Sequence, residues 1–364
     1  MNIGLITNST EKQMTGIGRV TYDTLSELLS IDNENRYFLI DANGFHDLKI
    51  PSIYDNDWTL QGCLYEETLL PNLFLNKIDV LYSFFPAINV DFPCKKILTV
   101  HDVIPMIYPQ WNTVYEYFDG PLRKSIVEAD KIIAMSESTK RDIVKYYNVD
   151  EGKIEVIYSG IQPSIAKVDK FTNVDLKEMF GIKGRYIISV CTVEPRKNLQ
   201  GLIEAFLDYK KKSNIDDIQL VLTGRIGWGT EIIDYVLKND QNHEDIVFTD
   251  YVSSEILSIL FKQATAVAYV SFYEGFGLPI LEGMAAGKAV ISSNTSSMPE
   301  VGGDAVEYCN PYDKNSIVSS ISKVLENDDY RELLEKKAKI RAELFSYKKT
   351  ARQVYELLQE VVQC

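Results

Sequence analysis

The feature that most constrains the fold is an alternation of short apolar runs with helix-length amphipathic segments, which occurs twice along the chain. In the first half, strand-like runs occur at Ile3–Thr7, Tyr37–Ile40, Val80–Phe84, Lys96–His101, Lys131–Met135 and Ile154–Tyr158. The second series has runs at Tyr186–Thr192, Ile218–Thr223, Ile246–Phe248, Ala266–Val270 and Ala289–Ser292. Apolar runs of about four to eight residues between helical segments are typical of βαβ units and parallel sheets. We therefore expect an α/β chain with two doubly wound, Rossmann-like domains.

Helical segments fill the intervals between these runs, and the tail from about Asn315 is helical throughout. The clearest helices are predicted at Val20–Leu29, Leu199–Lys211, Glu231–Leu237, Ser254–Gln263, Leu278–Ala286, Arg331–Leu344 and Lys349–Val362. The two series meet at the polar stretch Ala166–Gly184. We expect an N-terminal domain over residues 1–165, a C-terminal domain over 166–344 and a final helix over 345–364. A chain of 364 residues is long enough to form two cores.

Composition and charge disfavour several classes of protein. There are 52 acidic against 38 basic side chains, a net charge of −14, so a nucleic-acid partner is not expected. The five cysteines are scattered and there are only three histidines, which favours neither a disulfide framework nor a metal centre. The sequence contains no signal-peptide pattern and no unbroken apolar run of about 18 residues. These features predict a cytoplasmic protein.

The most informative motif is the glycine-rich segment 271–287, which follows a predicted strand and begins a helix. Gly275 and Gly277 let the backbone approach a ligand, and the new helix presents amides with a partial positive charge. This arrangement is typical of an anion site and suits a diphosphate. Glu274 precedes the glycines, and Glu282, about one turn into the helix, can accept hydroxyl hydrogen bonds from a ribose. A plain glycine turn with a dipole-stabilising Glu274 and a solvated Glu282 explains the same residues.

A second motif, Glu194-Pro-Arg-Lys-Asn198, follows the first strand of the second series. Its Arg196 and Lys197 can neutralise the charge that builds on a departing diphosphate. The structural alternative is a loop with exposed basic residues before a helix.

Three features of the first half are weaker. Gly16 and Gly18 join the first strand to its helix, but the third glycine of a dinucleotide-binding turn is missing. His101 ends a strand at the expected edge of a cleft, although a lone histidine is more often structural. Asp55-Asn56-Asp57 matches the D-x-D pattern of a metal site, for which a solvated loop is the better interpretation.

Taken together, the E-x7-E segment from Glu274 to Glu282, the 194–198 motif, the early glycine loop and His101-Asp102 resemble the retaining GT-B glycosyltransferases of family 4. The resemblance runs from Met1 to the C-terminal helices. It implies two Rossmann-like domains that face a cleft, with a last helix that crosses back to the first domain at about residues 345–350. It also implies no cofactor and no metal, because the nucleotide sugar is the substrate.

The resemblance also assigns roles to individual residues. Glu274 would contact the donor sugar near the reacting carbon, and His101 would contact the transferred sugar. The catalytic set that it implies is Glu274, His101, Arg196 and Lys197, with the last two at the diphosphate. The donor-binding set is Gly16, Gly18, Gly224, Tyr251, Val252, Gly275, Phe276, Gly277, Leu278 and Glu282. Asp250 stands where the family commonly has glycine, which puts the base contacts of Tyr251 and Val252 in question.

The segment around Gly224 and Trp228 and the run from His101 to Pro105 look most like bacterial mannosyltransferases of polysaccharide and O-antigen assembly. This likeness implies transfer of a hexose, mannose from GDP-mannose, to a glycan or polyprenyl-linked glycan. The alternatives are a UDP-sugar-dependent transferase, a non-catalytic sugar-nucleotide-binding subunit and a sugar-nucleotide 2-epimerase, although the E-x7-E segment disfavours the epimerase. Oligomeric state is not predicted.

One further pattern concerns the acceptor. Aromatic and apolar residues recur at helical spacing next to Arg123 and Lys124; they are Tyr108, Trp111, Tyr115, Phe118 and Leu122. As one helix they would form an aromatic face for a lipid-linked acceptor, with peripheral contact at the inner face of the plasma membrane. Core packing explains the same spacing equally well.

Overall fold

The computed structural model divides the chain into two compact units. Unit 1 comprises Met1–Gly160 with Phe345–Cys364, and unit 2 comprises Ile161–Leu344. The structure describes residues 1–6, 16–41, 44–47, 78–85, 93–111, 115–161, 165, 174–213, 215, 217–229 and 243–363. The predicted helix Glu231–Leu237 and the Asp55-Asn56-Asp57 pattern therefore lie outside the described residues.

The described part of unit 1 contains a seven-stranded sheet in the order β3-β2-β1-β4-β5-β6-β7. Its strands are β1 (Asn2–Ile6), β2 (Arg36–Asp41), β3 (Gly44–Asp47), β4 (Val80–Ser83), β5 (Lys95–Val100), β6 (Lys131–Ala134) and β7 (Ile154–Val156). All neighbours are parallel except β2 and β3. The helices before its last strand are α1 (Gly16–Ile31), α2 (Ile104–Ile107), α3 (Tyr115–Glu128) and α4 (Glu137–Tyr147). The predicted parallel sheet is confirmed, and the antiparallel edge strand β3 is an addition to it.

Helix α1 begins earlier than the sequence pattern predicts. Glycine lowers helix propensity, so the sequence pattern predicts that Gly16 and Gly18 lie in a loop and that the helix begins at Val20. In the structure both glycines lie in the first turn of α1. Their predicted place in the preceding loop is therefore wrong.

Unit 2 is built on a sheet whose six described strands are all parallel, in the order β10-β9-β8-β11-β12-β13. They are β8 (Arg185–Val190), β9 (Ile218–Thr223), β10 (Ile246–Asp250), β11 (Ala266–Tyr269), β12 (Ala289–Ser293) and β13 (Glu307–Cys309). All six residues of β9 are buried, as expected for a strand covered on both faces. The chain order reverses at β8, which pairs with β9 on one side and β11 on the other. Loops at the carboxyl ends of such a pair bind ligands in doubly wound folds.

Helices cover the sheet of unit 2. They are α5 (Leu176–Phe180), α6 (Leu199–Lys212), α7 (Ser254–Gln263), α8 (Leu278–Ala285), α9 (Met298–Gly302), α10 (Lys314–Glu326) and α11 (Asp328–Ala342). Helix α8 packs closely on the sheet at Gly283, where a Cβ atom would lie 2.9 Å from Val267 Cγ2. Helix α5 lies inside the segment that the sequence presents as a polar linker.

The last helix, α12 (Tyr347–Gln363), belongs to unit 1 and packs on α1. Its buried apolar side chains join the core of that unit together with residues of α1 and β1. Hydrogen bonds fix its start: the Thr350 hydroxyl donates to the carbonyl oxygen of Tyr158 at 2.7 Å. A Cβ atom at Gly160 would lie 2.1 Å from the backbone nitrogen of Tyr347, so the chain segments pass very close there.

The aromatic helix face predicted between Tyr108 and Leu122 is wrong. Helix α2 ends before Tyr108, a 3-10 turn covers Pro109–Trp111, and α3 begins only at Tyr115. Proline has no N–H group to continue a helix, so Pro109 interrupts the segment. Leu122 is 1% exposed and packs in the core. Within the described residues, no helix combines the length and the apolar character that crossing a membrane requires.

Candidate active site

The candidate site lies in unit 2, where the carboxyl ends of β8 and β11 meet. The loop after β8 forms a 3-10 turn over Pro195–Lys197, and the loop after β11 carries Glu274. Because the two strands are neighbours, these loops converge although they are far apart in sequence. The backbone N–H of Phe272 donates to the carbonyl oxygen of Arg196 at 2.9 Å and ties the loops together.

Arg196, Lys197 and Glu274 form one ion-pair cluster. Arg196 Nη1 donates to Glu274 Oε2 at 2.6 Å, and Lys197 Nζ donates to Glu274 Oε1 at 2.8 Å. Each carboxylate oxygen therefore receives one cationic group. Arg196 Nη2 also donates to Oε1 of Glu194, at 2.5 Å. The Glu274 side chain is only 8% exposed, so these contacts are largely shielded from water.

The charge state of Glu274 follows from two opposing effects. Burial by itself raises the pKa of this carboxyl, but the positive charges of Arg196 and Lys197 lower it to about 2. Glu274 is therefore an anion at neutral pH. The described cluster pairs two carboxylates, Glu194 and Glu274, with two cations, so an incoming anion must compete with Glu274 for Arg196 and Lys197.

Hydroxyl groups of the loop after β12 hold the backbone around Glu274. Ser296 Oγ accepts a hydrogen bond from the Glu274 N–H at 3.0 Å. The Ser297 hydroxyl lies 2.9 Å from the carbonyl oxygens of both Glu274 and Phe276, to which it donates. No motif in the sequence points to Ser296 or Ser297, since serines in a loop give no distinctive pattern.

Asn198 is a further residue of the site for which the sequence motifs suggest no role. Its backbone is left-handed, with φ of 53°, a conformation that asparagine tolerates better than most residues. Its side-chain Nδ2 donates to the carbonyl oxygens of Val270 at 3.1 Å and Pro311 at 2.9 Å. Asn198 thus joins the loops that follow β8, β11 and β13.

The glycine-rich turn leads directly into α8, as predicted. Gly277 is the residue before the helix and has φ of 103°, which favours glycine. Gly275 and Phe276 are buried beside it, and Leu278 is the first residue of α8. Pro279 has no N–H, and the Ile280 N–H donates to the Gly277 carbonyl oxygen at 3.0 Å, so the amide that the first turn of α8 can present to an anion is that of Leu278. Glu282 is buried one turn further on, and its role at a ribose stays a prediction.

Gly224, Tyr251 and Val252 lie beyond the carboxyl ends of β9 and β10. The Gly224 N–H donates to the Asp250 carbonyl oxygen at 3.0 Å, and the Arg225 guanidinium lies 5.4 Å from the ring centroid of Tyr251. Val252 is 9% exposed. Asp250 has φ of 56°, so the position where the family commonly has glycine takes a left-handed conformation, which glycine adopts readily.

Gly224 offers a direct test of this loop packing. Its φ is +142°, and a Cβ atom would lie 2.0 Å from the backbone oxygen of Cys191. We expect Gly224→Ala to lower the free energy of unfolding by about 3 kcal/mol, through strain and a clash with main chain. In the control Gly184→Ala, the new Cβ would lie 3.6 Å from Asp217 O. That variant should stay within about 0.5 kcal/mol. Urea unfolding measures both, and equal midpoints would contradict the packing described.

The remaining predicted site residues, His101, Gly16 and Gly18, lie in unit 1. His101 follows β5, and its Nε2 lies 2.8 Å from the carbonyl oxygen of Phe84, which follows β4. Since a carbonyl only accepts, Nε2 carries the proton and Nδ1 is left as an acceptor. Burial lowers the pKa of His101, so the ring is neutral at pH 7. Among the described residues, no three His, Cys, Asp or Glu side chains are grouped as metal ligands would be.

The two halves of the sequence match models of glycosyltransferase families. Residues 16–165 match Glycosyltransferase Family 4, and residues 176–341 match Glycosyl transferases group 1. The chain belongs to the family 4 glycosyltransferases. This confirms the family that the motifs indicated, and with it the GT-B fold.

Two curated relatives show how far this family 4 glycosyltransferase matches known sequences. It is 28% identical to O-antigen chain mannosyltransferase B of Escherichia coli over 270 residues, which is 72% of this chain and 71% of that protein. It is 27% identical to the serotype-specific mannosyltransferase WbdA of Escherichia coli over 74% of this chain, but the match spans only 34% of WbdA.

A solved structure shows the same fold over the whole chain. The crystal structure of Anabaena HepE in complex with UDP and glucose superposes with a TM-score of 0.73. The match covers 99% of this family 4 glycosyltransferase and 100% of HepE, at 16% identity. At that identity the likeness concerns the fold alone.

Proposed function

We propose that this protein transfers a hexose from a nucleotide sugar to a glycan or polyprenyl-linked glycan in bacterial surface polysaccharide synthesis. The best donor candidate is GDP-mannose, and the reaction proceeds with retention of configuration and without a metal or other cofactor. The observation that supports this is the cluster of Arg196, Lys197 and Glu274 beside the start of α8. It provides two cations and the N-terminal end of a helix for a diphosphate, together with a carboxylate for the sugar.

In the proposed reaction, the bond between the anomeric carbon and the diphosphate oxygen breaks. Negative charge then grows on the diphosphate and positive charge on the sugar ring. Arg196, Lys197 and the amide of Leu278 at the start of α8 stabilise the leaving anion. The acceptor hydroxyl attacks on the same face of the sugar, and its proton passes to an oxygen of the departing phosphate.

The metal-independent part of the proposal follows from this charge balance. Two side-chain cations and a helix terminus supply the positive charge that a divalent ion supplies elsewhere. We therefore expect transfer to proceed at an unchanged rate in the presence of a chelator such as EDTA.

The names of the relatives support mannose as the transferred sugar, since both are mannosyltransferases of Escherichia coli. A UDP-sugar donor is the second candidate, because the structure of HepE contains UDP.

A polyprenyl-linked acceptor would bring the reaction to the inner face of the plasma membrane. Flotation of the protein with vesicles of anionic phospholipid tests that contact.

Thermal unfolding with nucleotides distinguishes the donor candidates. At a hundred times its dissociation constant, a ligand adds about 2.7 kcal/mol to the free energy of unfolding, which gives a clear rise in melting temperature. We expect GDP to raise the melting temperature more than UDP, ADP or TDP at equal concentration. A response to UDP alone would replace the GDP-sugar by a UDP-sugar. No response to any of the four would contradict the proposed donor site.

A further inference from the structure

Tyr269 contacts Lys197 of the ion-pair cluster, although neither of the two site motifs includes Tyr269. It is the last residue of β11 and is 3% exposed. Lys197 Nζ donates to its hydroxyl oxygen at 2.9 Å, and the same nitrogen lies 5.3 Å from the centroid of its ring. Lys197 Nζ also donates to Glu274 Oε1 at 2.8 Å. Lys197 therefore bridges the Tyr269 hydroxyl and the Glu274 carboxylate.

The backbone of Tyr269 is held in the sheet, which restrains the position of its side chain more than a loop would. Tyr269 pairs with Ser292 of β12, and the Ser292 hydroxyl donates to the Tyr269 carbonyl oxygen at 3.2 Å. Burial, and next the negative charge of Glu274, raise the pKa of Tyr269 well above its usual range. The side chain therefore stays protonated, so a neutral hydroxyl accepts the hydrogen bond from Lys197.

The hydrogen-bond donors of Lys197 show why its contact with the Tyr269 hydroxyl matters. An ammonium group has three N–H bonds. Among the described residues, two of them point to Glu274 and Tyr269. A diphosphate that binds Lys197 would replace the charged contact between Lys197 and Glu274. It would not replace the hydrogen bond from Lys197 to the Tyr269 hydroxyl, because that hydroxyl is neutral. Tyr269 is then the contact that keeps Lys197 in place.

We propose that Tyr269 is a positioning residue for the transfer: its hydroxyl orients Lys197 towards the diphosphate and, through Lys197, holds Glu274 at the sugar. This inference rests on the proposed function of the cluster. It assigns no direct contact between Tyr269 and the substrate.

The test compares Tyr269→Phe with Tyr186→Phe in the full-length protein. Tyr186 is the matched control, because it is a buried tyrosine of the neighbouring strand β8 whose hydroxyl donates to the Leu260 carbonyl oxygen at 2.7 Å. Each variant keeps the ring and loses one buried hydroxyl. GDP binding is measured by calorimetry, and kcat and KM by GDP release from GDP-mannose with a synthetic mannoside acceptor.

We expect Tyr269→Phe to lower kcat about tenfold, as for loss of a hydrogen bond to a charged group, and to weaken GDP binding about threefold. Tyr186→Phe should change neither by more than about twofold, although both variants lose thermal stability. If the two variants behave alike in kcat and GDP binding while the wild type binds and transfers, Tyr269 has only a structural role and the inference is overturned. If the wild type neither binds GDP nor releases it from GDP-mannose, the GDP-mannose transferase itself is contradicted, and the inference is overturned with it.

Discussion

Replacing Glu274 by glutamine is expected to reduce transfer about a thousandfold and to strengthen the binding of GDP. The amide keeps the shape of the side chain but cannot carry the charge proposed to act at the sugar. Without a bound anion the carboxylate neutralises Arg196 and Lys197, so the loss of its charge leaves Lys197 available to the diphosphate, while Arg196 keeps its ion pair with Glu194. The same change leaves buried positive charge uncompensated and should lower the free energy of unfolding by about 3 kcal/mol without ligand.

The control for this variant is Glu255→Gln, an exposed glutamate of α7 in the same unit. It should leave transfer and GDP binding unchanged and lower the free energy of unfolding by at most about 0.5 kcal/mol, because Glu255 is an exposed carboxylate in the first turn of its helix. Kinetics with GDP-mannose measure transfer, calorimetry with GDP measures binding, and urea unfolding measures stability. A Glu274→Gln enzyme that keeps a tenth or more of its activity would contradict the proposed role. A wild type that binds GDP but never transfers would favour the non-catalytic binding subunit.

The same variant has a distinct dependence on pH. The pKa of Glu274 is about 2 in the folded chain against an ordinary value of 4.5, so the folded state binds this proton more weakly than the unfolded state. Its contribution to stability is therefore complete above pH 4.5 and is lost as the pH falls towards 2. The difference in unfolding free energy between wild type and Glu274→Gln should shrink over that range.

Replacing Arg196 by methionine should lower kcat/KM about a hundredfold, because one of the two side-chain cations that stabilise the leaving diphosphate is lost. GDP binding should weaken about tenfold, the value of one charge-assisted hydrogen bond. Glu194 and Glu274 would also lose a shared partner, so the pKa of Glu274 should rise. Methionine keeps much of the side-chain volume, which limits disruption of packing.

Arg185→Met is the matched control for Arg196→Met. Arg185 is the first residue of β8, at the opposite end of the same strand, and its contact with Asp217 is 3.9 Å long and exposed. Its loss should affect neither transfer nor GDP binding. Equal GDP affinities for Arg196→Met and Arg185→Met would show that Arg196 is not part of the diphosphate site.

The Glu194–Asn198 motif and the glycine-rich segment 271–287 were predictable because each combines residue types that suit the binding of a diphosphate. The Arg196-Lys197 pair and the glycines before α8 both follow apolar runs, so their place at strand ends could be inferred from sequence. Their contact depends on β8 lying next to β11, a pairing that periodicity does not specify and that only the family resemblance implied. Tyr269 lies within the apolar run Ala266–Val270, and nothing local distinguishes a core tyrosine from one that contacts a lysine.

The fold predictions failed where local signals are short or conflicting. Strand β13 has only three residues, too few for a recognisable pattern, and β3 is a short edge strand. Helix α1 includes Gly16 and Gly18 despite their low propensity, because the burial of Leu25, Leu28 and Leu29 against the sheet and α12 stabilises the helix as a whole.

The most direct test of the account is a calorimetric titration of the wild type and of Arg196→Met with guanosine, GMP and GDP. If the cluster is a diphosphate site, affinity for the wild type rises from guanosine to GMP to GDP, and the gain from the second phosphate is reduced in Arg196→Met. Equal affinities for the three ligands, or a gain from the second phosphate that Arg196→Met retains in full, would contradict the assignment of Arg196 and Lys197 to the diphosphate.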